Sequence, residues 1–264
     1  MSNIDKKYEK LVKKIKRKKL LIFVLVVIAV AVNYGLTDSF LMAIPGFVGI
    51  FFLELFAVAI AIAPLNSSLN DECDPEKYLA LNEGAGNKTQ RVIARATGSF
   101  YVGDFDRALE GAEEMLGMRR ADMRLSGMFN KARALFFLGR AEEARAMAKE
   151  YGDTVAGMTK VKEKHLEGYN KLGAMLNLML AISERDSQRI ERFREEVSPW
   201  NRSRATEGFV CYMKGLAAFL LSDTHESVYY FRTVKENCPK TFLARYAEQY
   251  LAELKRTEDK GENS

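Results

Sequence analysis

Histidine and cysteine are scarce in this chain, and one long internal stretch has no positive charge at all. Two histidines, His165 and His225, stand far apart among 264 residues, which leaves no basis for a zinc site. The three cysteines, Cys73, Cys211 and Cys238, show no C-x-x-C spacing. An odd, scattered set reads as free thiols in a reducing compartment. Residues 20–65 contain no Lys or Arg, and their only acids are Asp38 and Glu54. From Pro75 to Arg256 the alternation of apolar and polar residues that marks a half-buried strand is missing, so that part is expected to be helical.

The charge that is present is segregated. Residues 1–19 carry nine Lys or Arg against Asp5 and Glu9, a net of +7. From Asn66 onward 31 basic residues face 31 acidic ones, and a neutral domain argues against a nucleic-acid partner. A basic tail beside a hydrophobic segment instead suits an anionic bilayer surface.

Two apolar runs follow that tail. Leu20–Val32 is uninterrupted and a weaker stretch continues to Leu36; at 1.5 Å per residue the whole reaches about 26 Å, just short of a bilayer core of roughly 30 Å. Phe40–Leu65 is 26 residues long, fifteen of them Leu, Ile, Val or Phe, and is expected to insert despite one acid. The expectation is a transmembrane hairpin of two helices, about 20–36 and 40–65. The connecting "NYGLTDS" has no positive charge, so an integral, multi-pass protein with its N-terminus and C-terminal domain in the cytoplasm is predicted. A cleaved signal peptide with the spacing Ala29-x-Ala31 is the rival reading of the first run. Pro45, Gly46 and Gly49 fit a kinked entry and a close helix approach. Glu54 would lie near mid-bilayer with no partner in the hairpin. It is therefore expected to be protonated and to make an intramembrane contact with another chain, in a homo-oligomer or a larger membrane complex.

"NSSLNDECDP" turns abruptly polar and reads as a linker over 66–74, with Pro75 as a good first helical residue. Beyond it, apolar residues recur at helical spacing, broken by "VGDF", "LGR", "ERDS" and "LSDT". "YVGDFDRALEGAEEML" and "FFLGRAEEARAMAKEY" align on Gly103/Gly139 and Ala108/Ala144, 36 residues apart. With Ala96 and Ala132 at the small positions of the preceding helices, these units resemble the tetratricopeptide repeat. A later unit, "KGLAAFLLSDTHESVYYFRTVKENCP", follows the pattern with Gly215, Ala218, Ser227, Phe231 and Pro239. Between them "KLGAMLNLMLAISERDSQRIERF" has repeat length but puts Leu178 and Ile190 where small residues are expected. A generic α-solenoid is the alternative. The resulting expectation is an all-α chain: a basic tail (1–19), the hairpin (20–65), the linker, a repeat domain over 75–256 with a final solvating helix "TFLARYAEQYLAELKR", and a disordered tail (257–264).

The resemblance implies a peptide-binding concave surface lined by the first helix of each pair. Its positions fall on Gln90, Ile93, Thr97, Phe100 and Tyr101, then on Ser126, Phe129, Arg133, Phe136 and Phe137. In the last unit they fall on Phe209, Tyr212, Leu216, Phe219 and Leu220. About half of the rings are expected to pack between repeats instead.

No catalytic constellation accompanies this surface. "GAGNKT" (84–89) has Asn87 where a phosphate loop needs Gly before its Lys. Asp71, Glu72, Asp74 and Glu76 lack calcium-loop alternation and read as helix-dipole complements. Ser222, Asp223 and His225 share one turn and cannot adopt triad geometry. An enzyme, a cofactor and a metal are accordingly not expected. The expected function is a membrane-anchored adaptor that binds a protein or peptide segment at the cytoplasmic membrane face, with the bilayer as its other partner. The alternative is an integral subunit of a membrane complex in which Glu54 makes the main contacts.

Overall fold

A computed structural model describes residues 3–35, 40–159 and 161–261 of the chain. Among the described residues there are twelve helices and no strand, so the protein is all-α.

Helix α1 (Asn3–Gly35) runs unbroken from the lysine-rich start into the apolar run, and α2 (Phe40–Asn70) pairs with it. The basic segment is thus the first half of a docked helix rather than a separate tail. Its Ile15 is buried with Leu65, Leu81 and Ala85, flanked by Leu11 and Val12. α3 (Pro75–Ala85) receives that face, and Lys19 Nζ donates to the Ala85 carbonyl at 2.6 Å, placing a cation at a helix C-terminus where the dipole favours it.

Among the described residues no helix is long and apolar enough to cross a membrane. The expectation of an integral, multi-pass protein with cytoplasmic ends is corrected on that finding. In α1 the uninterrupted apolar run is thirteen residues, about 20 Å at helical rise against a core of about 30 Å, and lysines precede it directly. In α2 the side chains of 40–43, 45, 54, 56, 58, 61 and 62 lie outside the described residues, Pro45 and Glu54 among them. The contact expected of Glu54 therefore falls outside the described residues. The end of α2 also differs from the expected linker: 66–70 is helical, and Leu65, Ser68 and Leu69 are buried against the rest of the molecule.

Local chemistry sets the remaining boundaries. Asp74 caps α3, its side chain accepting from Lys77 N at 3.0 Å, with Pro75 at the first helical position. Asn87 and Gln90 form a reciprocal capping box at the start of α4 (Lys88–Val102). That explains "GAGNKT" as a helix start. Gly103 then turns the chain in the left-handed region, φ 96°, and Asp104 caps α5 (Phe105–Leu116). α6 (Ala121–Phe137) passes through Gly139, φ 73°, into α7 (Ala141–Ala156). α8 (Glu163–Glu184) and α9 (Ser187–Glu196) are joined the same way through Arg185, φ 54°, and the cap Asp186. α10 (Arg204–Leu220) and α11 (Thr224–Asn237) use Ser222, φ 60°, and the cap Asp223. Four helix pairs thus share one device, a left-handed residue followed in three of them by an N-capping Asp. α12 (Phe242–Gly261) closes the chain. It extends past the expected boundary at 256, since Arg256, Glu258 and Lys260 are good helix formers.

Each helix packs on the next from α3 to α12, and then the succession returns on itself. α10 also packs against α2 and α8, and α12 against α4. Cys73 and Cys238 form a disulfide, Cα atoms 5.2 Å apart. This corrects the reading of all three cysteines as free; only Cys211 is. Gly208 admits the close approach at this point, since a Cβ there would lie 2.6 Å from Cys238 Sγ. Beside the disulfide, Lys240 Nζ reaches Asp74 Oδ2 at 2.7 Å, and Arg245 Nη2 donates to the Val102 carbonyl at 2.8 Å. Burial pushes the Asp74 carboxyl upward, but the bonds from Lys240 and Lys77 outweigh it and hold the group below its ordinary 3.8.

Candidate functional site

Closure of the two ends decides what becomes of the aromatic positions. Phe100, from α4, sits with its ring centroid within 5.2–5.8 Å of Tyr101, Phe105, Phe137, Phe209 and Phe242. Those rings come from α4, α5, α6, α10 and α12, so five helices converge on one aromatic cluster. Phe100 is fully buried, and Tyr101, Phe129, Arg133 and Tyr212 are nearly so. Phe136, Phe137 and Phe219 are half-buried and packed against the same core. Phe219 meets Tyr250 edge-on, and Phe137 stacks on Phe105. The first turn of α12 plants Phe242 in the centre of the cluster. That helix is therefore more than a solvating cover. Where an open array would present a groove, this chain has hydrophobic core.

Beside the cluster lies a cavity of about 270 Å³. Of the residues expected to line a concave face, it brings together Ile93, Thr97, Tyr101, Ser126, Phe129 and Arg133. Phe100, Phe136, Phe137, Tyr212 and Phe219 do not line it. Its other walls come from the end of α2 (Leu69, Asn70), from Asn130, and from the 200–206 segment with Trp200, Asn201, Ser203 and Thr206. Sequence reasoning missed these. A single Trp in a short polar connection, "SPWNRS", was the available signal.

Arg133 holds the centre of this site. Its guanidinium carbon lies 3.9 Å from the Phe100 ring centroid, with Tyr101, Phe129 and Phe209 at 5.3, 5.4 and 5.9 Å. One amino group donates to Asn130 Oδ1, and Asn130 in turn donates to the Ser126 carbonyl at 2.7 Å. The Tyr101 hydroxyl also interacts with Arg133 and with Thr206. Nε has no partner. Burial draws the guanidinium below its ordinary value, with Tyr101 opposing, and burial likewise raises the Tyr101 phenol. Among the described residues no Asp or Glu lines the cavity or acts on Arg133.

A cation in this position is expensive. Desolvating one costs several kcal/mol, and a well-placed ring returns roughly 2 kcal/mol when the site is dry. Aromatic faces and one amide offset part of that cost, and an anion entering the cavity would offset the rest. The lining suits a carboxylate: Arg133 is joined by Thr97, Ser126 and Asn201, which carry hydroxyls and an amide, and by apolar Ile93, Leu172 and Trp200 for the group that carries it.

The other chemistry considered from sequence resolves into local structure. Asp223 caps α11 through Glu226 N, which accounts for the Asp beside His225. Glu72 pairs with Lys77. Among the described residues no group of His, Cys, Asp and Glu has metal-binding geometry. Comparison of the chain with protein-family models, with curated proteins and with solved structures finds no match.

Proposed function

We propose that this protein is a binding module of tetratricopeptide-like helix pairs that captures a protein segment through a carboxylate seated on Arg133. The observation that carries this reading is a buried guanidinium lining a cavity that no acid among the described residues shares. In this reading the recess takes one acidic residue or chain end, with neighbouring residues of the segment laid across Trp200 and Ile93. Hydrogen bonds to a charged group contribute about 1.5–3 kcal/mol each. Such a contact would anchor a segment without giving high affinity by itself.

The test uses arrayed peptides ending in a free carboxylate, their amidated counterparts, and internal Glu or Asp peptides, titrated on the full chain by fluorescence anisotropy. Binding should require a carboxylate and should be lost in Arg133→Met. That variant removes a desolvated charge and keeps its length, so its melting temperature should hold or rise. Equal binding of amidated peptides by wild type, or a collapse of stability in Arg133→Met, would make Arg133 a structural residue. Inorganic phosphate binding as tightly as any peptide would reassign the recess to a small free anion.

A further inference from the structure

The two faces of α1 have unlike fates. Leu11, Val12, Ile15 and Lys19 turn toward α3 and are used there. On the opposite face Lys10, Lys14 and Arg17 rise in successive turns and lead into Leu21, all exposed. Lys13 and Lys18 flank this row; Lys13 pairs with Glu9 at 2.5 Å. Among the described residues Lys10, Lys14, Arg17 and Lys18 have no carboxylate partner. Lys10, Lys14 and Lys18 are also spaced four apart, as are Lys13 and Arg17, and like charges at that spacing oppose the helix that carries them. The chain therefore tolerates a repulsive row that no carboxylate among the described residues neutralises.

This row borders a cleft of about 720 Å³ between α1 and α2, within the range of about 300–1,000 Å³ typical of ligand pockets. Its floor is apolar, formed by Leu21 and Ile22 from α1 and by Ala57 and Ile60 from α2. No acid lines it. Cations at one end and hydrocarbon at the other match an amphiphile with an anionic head. A free phosphate would leave the apolar end unused, and an uncharged acyl chain would leave the cations repelling one another.

We propose that the α1–α2 cleft binds one anionic phospholipid, its phosphate on Lys10, Lys14 and Arg17 and its proximal acyl carbons against Leu21, Ile22 and Ile60. The site is separate from the Arg133 recess and stands or falls independently of it. Native mass spectrometry of the full-length chain released from a non-ionic detergent counts bound lipid directly. The probes are short-chain phosphatidylglycerol below its micelle-forming concentration, short-chain phosphatidylcholine, inorganic phosphate, and vesicles containing phosphatidylglycerol. A single phosphatidylglycerol adduct is expected, with phosphatidylcholine and phosphate much weaker. Cations near an anionic lipid count for about fivefold in affinity each, so Lys14→Gln with Arg17→Gln should weaken binding about thirtyfold, or about 2 kcal/mol. Lys16→Gln, exposed on another face, should leave it unchanged, and all variants should melt as wild type does. Equal binding of the two lipids, wild-type affinity in the double variant, or phosphate matching phosphatidylglycerol would overturn the proposal. So would binding to vesicles alone, which would point to a surface rather than a cleft.

Discussion

Removing the Cys73–Cys238 bond should be the most damaging change of two atoms in this protein. The bond closes a loop over a sequence separation of 165 residues, and in the chain-entropy picture a loop of that size restricts the unfolded ensemble by about 5 kcal/mol at 25 °C. Native disulfides commonly contribute about 2–5 kcal/mol, so that figure is a ceiling. For a domain of about 150–250 residues each kcal/mol moves the midpoint by roughly 2–4 °C. Cys73→Ala with Cys238→Ala should then lower the melting temperature by about 10–20 °C at the ceiling, and reductant should reproduce the drop in wild type. Cys211→Ala should be nearly silent, because that thiol takes no part in the bond. Scanning calorimetry with and without reductant measures the effect, and alkylation under denaturing, non-reducing conditions counts free thiols. Three alkylated cysteines in freshly purified protein would refute the bond itself. One alkylated cysteine together with an unchanged midpoint on reduction would refute the claim that the bond restrains the chain.

Three further outcomes follow from the packing. Phe100→Ala should cost about 3–5 kcal/mol in urea unfolding, because the ring is fully buried among five others, whereas half-buried Phe136→Ala should cost clearly less. Gly111→Ala should be destabilising by about 1–3 kcal/mol, since a Cβ there would stand 2.4 Å from the Ala96 backbone nitrogen; a neutral result would mean that α4 and α5 are not so close. Asp74 is held below its ordinary 3.8, so its contribution is complete above about pH 4 and is lost as pH falls through the lowered value. Asp74→Asn should therefore be less stable at neutral pH and should show a flatter acid limb than wild type in midpoint-against-pH profiles.

The first two helix pairs could be read from sequence because Gly103 and Gly139 announce the left-handed turn. The third and fourth pairs make the same turn with Arg185 and Ser222, so the glycine signal vanished. The capping Asp one residue later, Asp186 and Asp223, was the signal that persisted. The pairing of Cys73 with Cys238 could not be read at all, because proximity across 165 residues depends on the return of α12 to α4. That same return decides the fate of the aromatic positions. Local pattern places Phe100 and Tyr212 on an inner face, but only the arrival of Phe242 turns that face into core. Arg133 was legible as a well-placed cation; its burial among aromatic rings required the fold. The apolar runs were legible as hydrophobic helices, whereas the docking of the basic half of α1 on α3 was not, since Leu11, Val12 and Ile15 form a short stripe among lysines.

The return of the last helices onto the first also fixes how the molecule comes apart. A row of helix pairs with free ends loses its terminal unit first, and its stability grows as units are added. Here the terminal helices are held to each other by Asp74–Lys240, Arg245–Val102 and the disulfide, so neither end can fray without opening the seam and exposing the Phe100 cluster. Loss of structure is then a single event shared by α3 to α12. An extra pair inserted anywhere in the succession would push Cys73 and Cys238 apart instead of lengthening the array, which sets the number of pairs in this protein by closure.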